Sequence, residues 1–399
     1  MNKKKKNGDA ATDVVVIGGG VTGCGLAWDL SLRGVAVALV ERGELASGTT
    51  GRFHGLVHSG ARYVVTDPVT ASECYQESVV LRRIAKVAVE NTEGLFVIAD
   101  GDDLGYPEQW LVGCEKTGIP ITEIPMTEAR LREPALNPAI IRAFVVPDAV
   151  CNSNALCASL GRSAQNLGAQ LLTYHTCNGI EMQDHRVTGV NLTDIRSGIS
   201  RTLNCRIVVI AAGPWSGRIA KAAGVELSLD LVRGAMIAFK GSAVKSPVSR
   251  LQPPGDGDII LPRGRVSIAG TTSVVTDDPD DRRVDDWELD LVRTQIKAFI
   301  TSLACAQMAH AWAGVRPLYS GPAPERQASA GNLRSLDPHS WSRNFTVLDH
   351  ESRDGVSGLI SIVGGKLTSF RLMAERTADV VCRSLGNSKP CRTAITGLT

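Results

Sequence analysis

The sequence predicts an α/β fold: a mostly parallel sheet built from separated segments, with a second, mostly antiparallel α+β unit inserted between them. Three observations carry this expectation. Apolar runs enter glycine turns at three distant places: Val14–Ile17 before Gly18, Ile207–Ile210 before Gly213, and Leu359–Val363 before Gly364-Gly365. Such unbroken runs suit strands buried on both faces. Between them the character changes. Residues 94–147 mix short strands with proline-containing connections, and 226–322 alternate with period two in places.

The first element, Val14-Val15-Val16-Ile17, runs into Gly18-Gly19-Gly20-Val21-Thr22-Gly23 and a helical pattern. A second strand, Val35 to Val40, ends at Glu41. Strand, glycine turn, helix, strand and acid in this order make a Rossmann-like dinucleotide unit. Gly18 permits the tight turn, Gly20 removes a Cβ that would strike a pyrophosphate, and Gly23 lets helix and strand approach. The helix start directs N–H groups at phosphate. Glu41 can accept both ribose hydroxyls of an adenosine, and its charge argues against a 2′-phosphate and hence against NADP.

A glycine-rich loop follows, then His58-Ser59-Gly60-Ala61-Arg62-Tyr63, too rich in polar chemistry for a plain connection. A helix is expected around Thr70 to Val87, and another from Asn154 to Leu167, closed by Gly168. Leu171–Tyr174 and Val187–Leu192 read as strands, and Arg206–Gly213 as a buried strand entering a turn. Met236–Phe239 and Val266–Ala269 alternate, a helix is expected near Trp287–Leu303, and Leu359–Lys366 enters a helix from Leu367 to Leu385.

The first turn alone does not distinguish NAD from FAD. Ala211-Ala212-Gly213-Pro214-Trp215 brings a second backbone turn toward the same cofactor, and Gly364-Gly365-Lys366-Leu367-Thr368 a third. A flavin gathers negative charge at its N1–C2=O edge on reduction, which a helix start with a lysine stabilises. Three turns returning to one sheet favour FAD. The expected division assigns 12–90, 148–225 and 323–390 to the FAD-binding domain. Residues 91–147 and 226–322 form the substrate-binding domain, and 1–11 a disordered basic tail.

Composition bounds the remaining classes. The chain has 399 residues, 43% hydrophobic and 21% charged, as two ordinary globular domains require. A formal charge of +2 gives no global field for nucleic acid. No apolar run approaches the roughly 20 residues that span a bilayer. Lys3–Lys6 is followed by polar residues, so the start does not read as a signal peptide. The ten cysteines show no Cys-x-x-Cys pair, so no metal site is expected, and buried thiols in a cytoplasmic protein are.

Taken with Ala46-Ser47-Gly48-Thr49-Thr50-Gly51-Arg52, Gly270-Thr271-Thr272 and Gly314-Val315-Arg316-Pro317-Leu318, these motifs resemble the FAD-dependent glycerol-3-phosphate dehydrogenases. The resemblance runs from about residue 12 to residue 395. Thr92–Phe96 and Phe370–Glu375 look most like the catalytic A subunit of the anaerobic enzyme. Aerobic relatives carry a histidine where this chain has Met236, which removes that position from the candidate catalytic residues. The anaerobic catalytic chain usually continues into a cysteine-rich region that would begin near Thr399, so that region is expected to be lacking here.

The resemblance implies a glutathione-reductase/D-amino-acid-oxidase type of FAD-binding domain. It further implies oxidation of sn-glycerol 3-phosphate to dihydroxyacetone phosphate, with hydride passing from C2 to flavin N5. Arg62 and Arg316 suit the phosphate or a developing oxyanion. His58 is the candidate base, with His54 as the internal control, and Lys366 shares the charge work. Tyr63 donates to phosphate or packs. The catalytic set is therefore His58, Arg316 and Lys366; the substrate set is Arg62, Tyr63 and Arg316. The cofactor set is Gly18, Gly20, Gly23, Glu41, Arg42, Ser47, Thr49, Thr50, Gly213, Trp215, Gly364, Gly365, Lys366, Leu367 and Thr368. Electrons are expected to leave to a quinone or partner subunit, from a cytoplasmic protein that is peripheral on the inner face of the membrane if it docks there. Two alternatives stand beside this: a flavin dehydrogenase or oxidase of another polyol phosphate or 2-hydroxy acid, and a noncatalytic FAD-bound subunit.

Overall fold

The computed structural model describes residues 12–319, 321 and 344–399. The expected basic tail, 1–11, lies outside the described residues, as do 322–343 of the expected domain segments.

Six strands form the first sheet, in the order Phe345–Asp349, Leu359–Gly364, Ile207–Ile210, Val14–Ile17, Val37–Glu41 and Gln170–Thr173. Five run parallel, and the edge strand Phe345–Asp349 is antiparallel. Side chains of one strand point alternately to opposite faces. Val14, Val16, Val37 and Leu39 meet a core built with the helices Val21–Leu32, Ser153–Asn166 and Phe370–Leu385. Val15, Ile17, Ala38 and Val40 meet the opposite core. There they pack against an antiparallel sheet of His175–Gln183, Arg186–Asp194 and Ser200–Asn204 and the helix Ser216–Ala222. Apolar burial on both faces explains why these strands read as unbroken hydrophobic runs.

The second large sheet has nine strands and is mostly antiparallel, with one parallel pair between Val248–Arg250 and Gly94–Ala99. Its backbone is the twelve-residue strand Leu229–Lys240, paired with Met308–Tyr319 along nearly its full length. That register sets Met236 opposite Trp312, Gly234 opposite Gly314 and Val232 opposite Arg316. A small sheet of Leu56–Val57, Ala149–Cys151 and Val89–Glu90 carries the chain toward His58.

Several local expectations shift. The helix near Trp287–Leu303 is Asp286–Lys297, opened by a capping box of Asp285 and Glu288, with a separate 3-10 turn at Thr301–Cys305. Residues 94–147 also hold two unforeseen helices, Gly105–Thr117 and Met126–Arg132. Pro107 reads as a breaker, yet it sits in the first turn, where a missing N–H breaks no helical bond. The last helix begins at Phe370 rather than Leu367.

The described cysteines are free thiols, seven of them buried. Burial pushes Cys114 and Cys151 up to about 12, so these thiols stay protonated and unreactive.

Candidate active site

The turn after the first strand is shaped by contact. Gly18 takes φ +117°, and a Cβ there would lie 2.5 Å from the Ala211 carbonyl oxygen. A Cβ on Gly23 would lie 1.9 Å from the Gly18 oxygen, so helix and strand touch only because it is absent. The Val21 N–H at the helix start donates to Thr50 Oγ1 at 3.1 Å. Glu41 Oε2 accepts the Gly19 N–H at 2.7 Å, and Oε1 accepts the Gly43 N–H at 2.8 Å and the Ser47 hydroxyl at 3.2 Å. Oε2 keeps one lone pair for a ligand hydroxyl, while a second hydroxyl at Oε1 would take the place of Ser47.

Beyond Glu41, the Arg42 guanidinium lies 4.2 Å from the centre of the Trp215 ring. Asp280 joins three groups here: it pairs with Arg42 and Arg218, both at 3.2 Å, and accepts the Trp215 Nε1–H at 3.1 Å. Burial works against its charge, but these donors hold its carboxyl below the usual range.

The third turn carries Gly364 and Gly365, each at φ +79°. A Cβ on Gly364 would lie 2.4 Å from the Asn344 oxygen, and one on Gly365 2.5 Å from Met373 Sδ. Lys366 does not stand at the helix start, as the sequence suggests. A turn closed by the Ser369 N–H on the Lys366 carbonyl, at 3.2 Å, intervenes before Phe370. Gly364 and Gly365, at positive φ, lie outside the right-handed region, and the Lys366–Ser369 turn carries the chain from them to Phe370.

Lys366 Nζ lies 4.6 Å from the centre of the Tyr63 ring, and that ring stands edge-on to His58 at 5.5 Å. The His58 N–H donates to the buried Thr368 Oγ1 at 3.1 Å, tying this segment to the third turn. His54 sits 6.0 Å from the His58 ring, and its Nδ1 accepts the Leu56 N–H at 3.1 Å, a local structural bond. The next residue is anchored as well: the Ser59 N–H donates to the buried Asp148 Oδ1 at 2.6 Å. Burial raises the Asp148 carboxyl above its usual range, against the pull of that hydrogen bond.

Arg62 is a half-exception to its expected role. Its Nη2 pairs with Asp258 at 2.8 Å and donates to the Gly255 oxygen at 3.0 Å, whereas Nη1 is buried without a hydrogen-bond partner. Burial works against the charge, and Asp258 overcomes it. Arg316 Nη2 donates to the Thr272 oxygen at 2.7 Å and to Ser273 Oγ at 3.1 Å. Thr49 Oγ1 donates to the Val315 oxygen at 2.6 Å, joining the glycine-rich loop to the strand that carries Arg316.

These groups share one cavity of about 1240 Å³, lined by Gly18, Gly20, Glu41 and Arg42 together with His58, Arg62, Tyr63, Arg316 and Lys366. Ser47, Thr49, Thr50, Gly213, Trp215, Gly364, Gly365, Leu367 and Thr368 also line it. Of the expected site residues, Gly23 alone stands behind the wall, as its packing role requires. Met236 lines the cavity as an apolar surface. Sequence reasoning missed Asp280, Asp258 and Gly234, which also line it. Among the described residues, no group of His, Cys, Asp or Glu could hold a metal ion.

The volume exceeds the range of about 300–1,000 Å³ common for single small-molecule pockets, which suits a dinucleotide and a substrate together. The fit to FAD rests on chemistry as well. Glycines stand where three backbone turns approach the space, and Glu41 lines the same cavity as the cationic groups Arg316 and Lys366.

Comparison with known proteins places the family. The family model of FAD dependent oxidoreductases matches residues 13–371. The A subunit of the anaerobic glycerol-3-phosphate dehydrogenase of Escherichia coli is 40% identical over 392 residues, covering 98% of this chain and 70% of that protein. The A1 subunit of the anaerobic enzyme of Haloferax volcanii is 41% identical over 390 residues, covering 96% and 65%. Among solved structures, the Bacillus halodurans glycerol-3-phosphate dehydrogenase complexed with FAD superposes with a TM-score of 0.73 at 25% identity, covering 97% of this chain and 68% of that one.

Proposed function

We propose that this chain, which belongs to the FAD-dependent oxidoreductase family and within it to the glycerol-3-phosphate dehydrogenases, oxidises sn-glycerol 3-phosphate to dihydroxyacetone phosphate. The observation that carries the reading is the continuity of one cavity. It joins the glycine turns and Glu41 to a cluster of His58, Tyr63, Arg62, Arg316 and Lys366.

Gly18, Gly20, Ser47, Thr49, Thr50 and the start of the first helix would hold the pyrophosphate of FAD, with Gly23 closing the packing behind. Glu41 would take the ribose, and Arg42 stacked on Trp215 would border the adenosine end. Gly213 and the turn Gly364–Thr368 would approach the flavin. Bound FAD supplies the acceptor for the hydride that leaves C2 of the substrate.

The chain's own groups do the rest. Arg316 and Arg62 bind substrate oxygens, and Tyr63 donates to the phosphate. Their geometry holds C2 in one orientation, so the reacting groups meet without a further search. His58 accepts the proton of the C2 hydroxyl through its imidazole. Lys366, held over the Tyr63 ring, contributes positive potential where negative charge develops. In this reading 12–90, 148–225 and 323–390 serve FAD, and 91–147 and 226–322 serve the substrate.

Electrons then pass to a quinone or to a separate protein partner. Among the described residues no helix is long and apolar enough to cross a membrane. A membrane-borne acceptor would be met peripherally, from the cytoplasmic side. The test is an absorption spectrum without air. Glycerol 3-phosphate should bleach the bound flavin, and other polyol phosphates and 2-hydroxy acids should do so far more slowly. Flavin that no polyol phosphate bleaches would favour the noncatalytic reading instead.

A further inference from the structure

We infer that Asp258 is a positioning residue for substrate binding: with the Gly255 carbonyl it fixes Arg62 so that one guanidinium nitrogen is left for an oxygen of the anionic substrate. The inference rests on the reading above that the cavity takes a polyol phosphate.

Asp258 closes the loop Pro253-Pro254-Gly255-Asp256-Gly257, directly before the strand Ile259–Arg263 of the large antiparallel sheet. It is 1% exposed. Its Oδ2 accepts the Gly255 N–H at 3.1 Å and meets Arg62 Nη2 at 2.8 Å, while the Gly255 oxygen accepts from the same nitrogen at 3.0 Å. One carboxylate therefore shapes the loop and holds the arginine. A guanidinium is planar and rigid, so fixing Nη2 from two sides also fixes where Nη1 lies. That nitrogen is buried and has no hydrogen-bond partner. A buried charged donor left unmade is costly, and the cost is removed when an acceptor arrives. Arg62, Gly255 and Asp258 all line the cavity, so the acceptor that fits is a ligand oxygen.

The pair Arg62–Asp258 is close to neutral in sum. It supplies orientation, and Arg316 with Lys366 supplies the net positive charge for a dianion. Loss of Asp258 should then loosen substrate binding more than it slows the chemistry.

The experiment compares FAD-loaded wild type, Asp258→Asn, Arg62→Met and the double variant, with glycerol 3-phosphate as substrate and inorganic phosphate as a nonreacting ligand. Asparagine keeps the side-chain shape and loses the charge. Breaking a buried hydrogen-bonded charge pair should raise KM on the order of thirtyfold, with a much smaller change in kcat. Phosphate binding, read from the shift it causes in the flavin spectrum, should weaken in proportion. In the Arg62→Met background, where no cation is left for Asp258 to hold, the second substitution should add nothing, because the two residues act as one unit. An unchanged KM, or a full additional loss in the double variant, overturns the inference. Should wild-type flavin fail to bleach with glycerol 3-phosphate, the functional reading fails instead. Phosphate titration then judges Asp258 alone: weaker binding in Asp258→Asn supports the positioning role, and equal binding overturns it.

Discussion

Gly234 and Arg316 lie on paired strands, and a Cβ at position 234 would stand 3.0 Å from Arg316 Nη2. The same Cβ would fall 2.7 Å from the Thr272 oxygen and 2.3 Å from Thr271 Oγ1. Thr272 cannot give way freely, because its oxygen accepts from Arg316 and its hydroxyl donates to the buried Glu288 at 2.5 Å. Gly234→Ala should therefore displace the arginine by a fraction of an ångström while leaving the distant glycine turn intact. Misplacement of this kind is expected to lower kcat/KM on the order of a hundredfold. Flavin content, read at the visible absorption maximum, should stay at the wild-type level.

Removing the guanidinium itself is the companion test. Arg316→Ala should cut turnover by about a hundredfold or more, the usual loss when a donor to developing charge is removed. The purified variant should remain yellow. A colourless variant would mean that Arg316 holds the cofactor site together, and the catalytic assignment would go.

His58 is tested at the chemical step. Its N–H is anchored on Thr368, so His58→Asn keeps the backbone bond and removes the imidazole. Loss of a general base should slow anaerobic flavin bleaching by glycerol 3-phosphate about a hundredfold or more. Stopped-flow absorbance measures this directly, and an unchanged rate removes His58 as the base. His54→Asn is the control: its Nδ1 serves the Leu56 N–H, so stability should fall more than bleaching does.

Much of this site is legible in the sequence because it is written in local patterns. The turn at Gly18–Gly23, the acid at Glu41 and the third turn at Gly364-Gly365 each depend on a few consecutive residues whose backbone demands are strong. The residues that escape such reading work through register and distant pairing. Gly234 matters because pairing sets it opposite Gly314, beside Arg316. Asp258 belongs to no local motif, and its role shows only when Arg62, nearly two hundred positions earlier in the chain, is brought against it. Asp280 lies in a charged loop that gives no sign of meeting Trp215. Helix boundaries err for a different reason. Residue preference alone misplaces Pro107 and Lys366, while the first-turn position of one and the Lys366–Ser369 turn at the other decide the outcome.

A pH effect on stability should come from His350. It is fully buried, with Nδ1 2.5 Å from Asp354 Oδ2 and Nε2 2.8 Å from Ser361 Oγ. Burial lowers its pKa, more than the pull of Asp354 raises it. The unfolded chain then takes up a proton before the folded protein does. The stability contribution is present above the unfolded value of about 6.5 and is lost as pH falls toward the lower folded value. Asp148 and Glu77, whose carboxyls are raised by burial, act with the opposite sign and at the titration range of acids. Urea unfolding at about pH 7.5 and about pH 5 should show the wild type losing stability on acidification. His350→Gln should flatten that dependence, and an equal slope in the variant would assign the effect to other groups.

Asp280→Ala should weaken FAD binding, and exposure sets how much. Arg42, Arg218 and Asp280 are 48%, 59% and 39% exposed at their side chains. Each ion pair is then worth about 0–1 kcal/mol, and the Arg42–Trp215 contact about as much again. These terms share one carboxylate and do not simply add. The larger consequence is geometric. The Trp215 ring covers the glycine-rich loop so closely that a Cβ on Gly48 would lie 3.1 Å from it, and Asp280 fixes that ring through Nε1. Freed, the ring can leave the loop that lines the cavity beside Ser47 and Thr49. A several-fold to about tenfold faster release of FAD is expected, with kcat unchanged at saturating cofactor. Added salt should speed release from the wild type more than from the variant, because the ion pairs it screens are already missing there. Equal sensitivity to salt would mean that Asp280 acts through Trp215 alone and that Arg42 holds the ring without it.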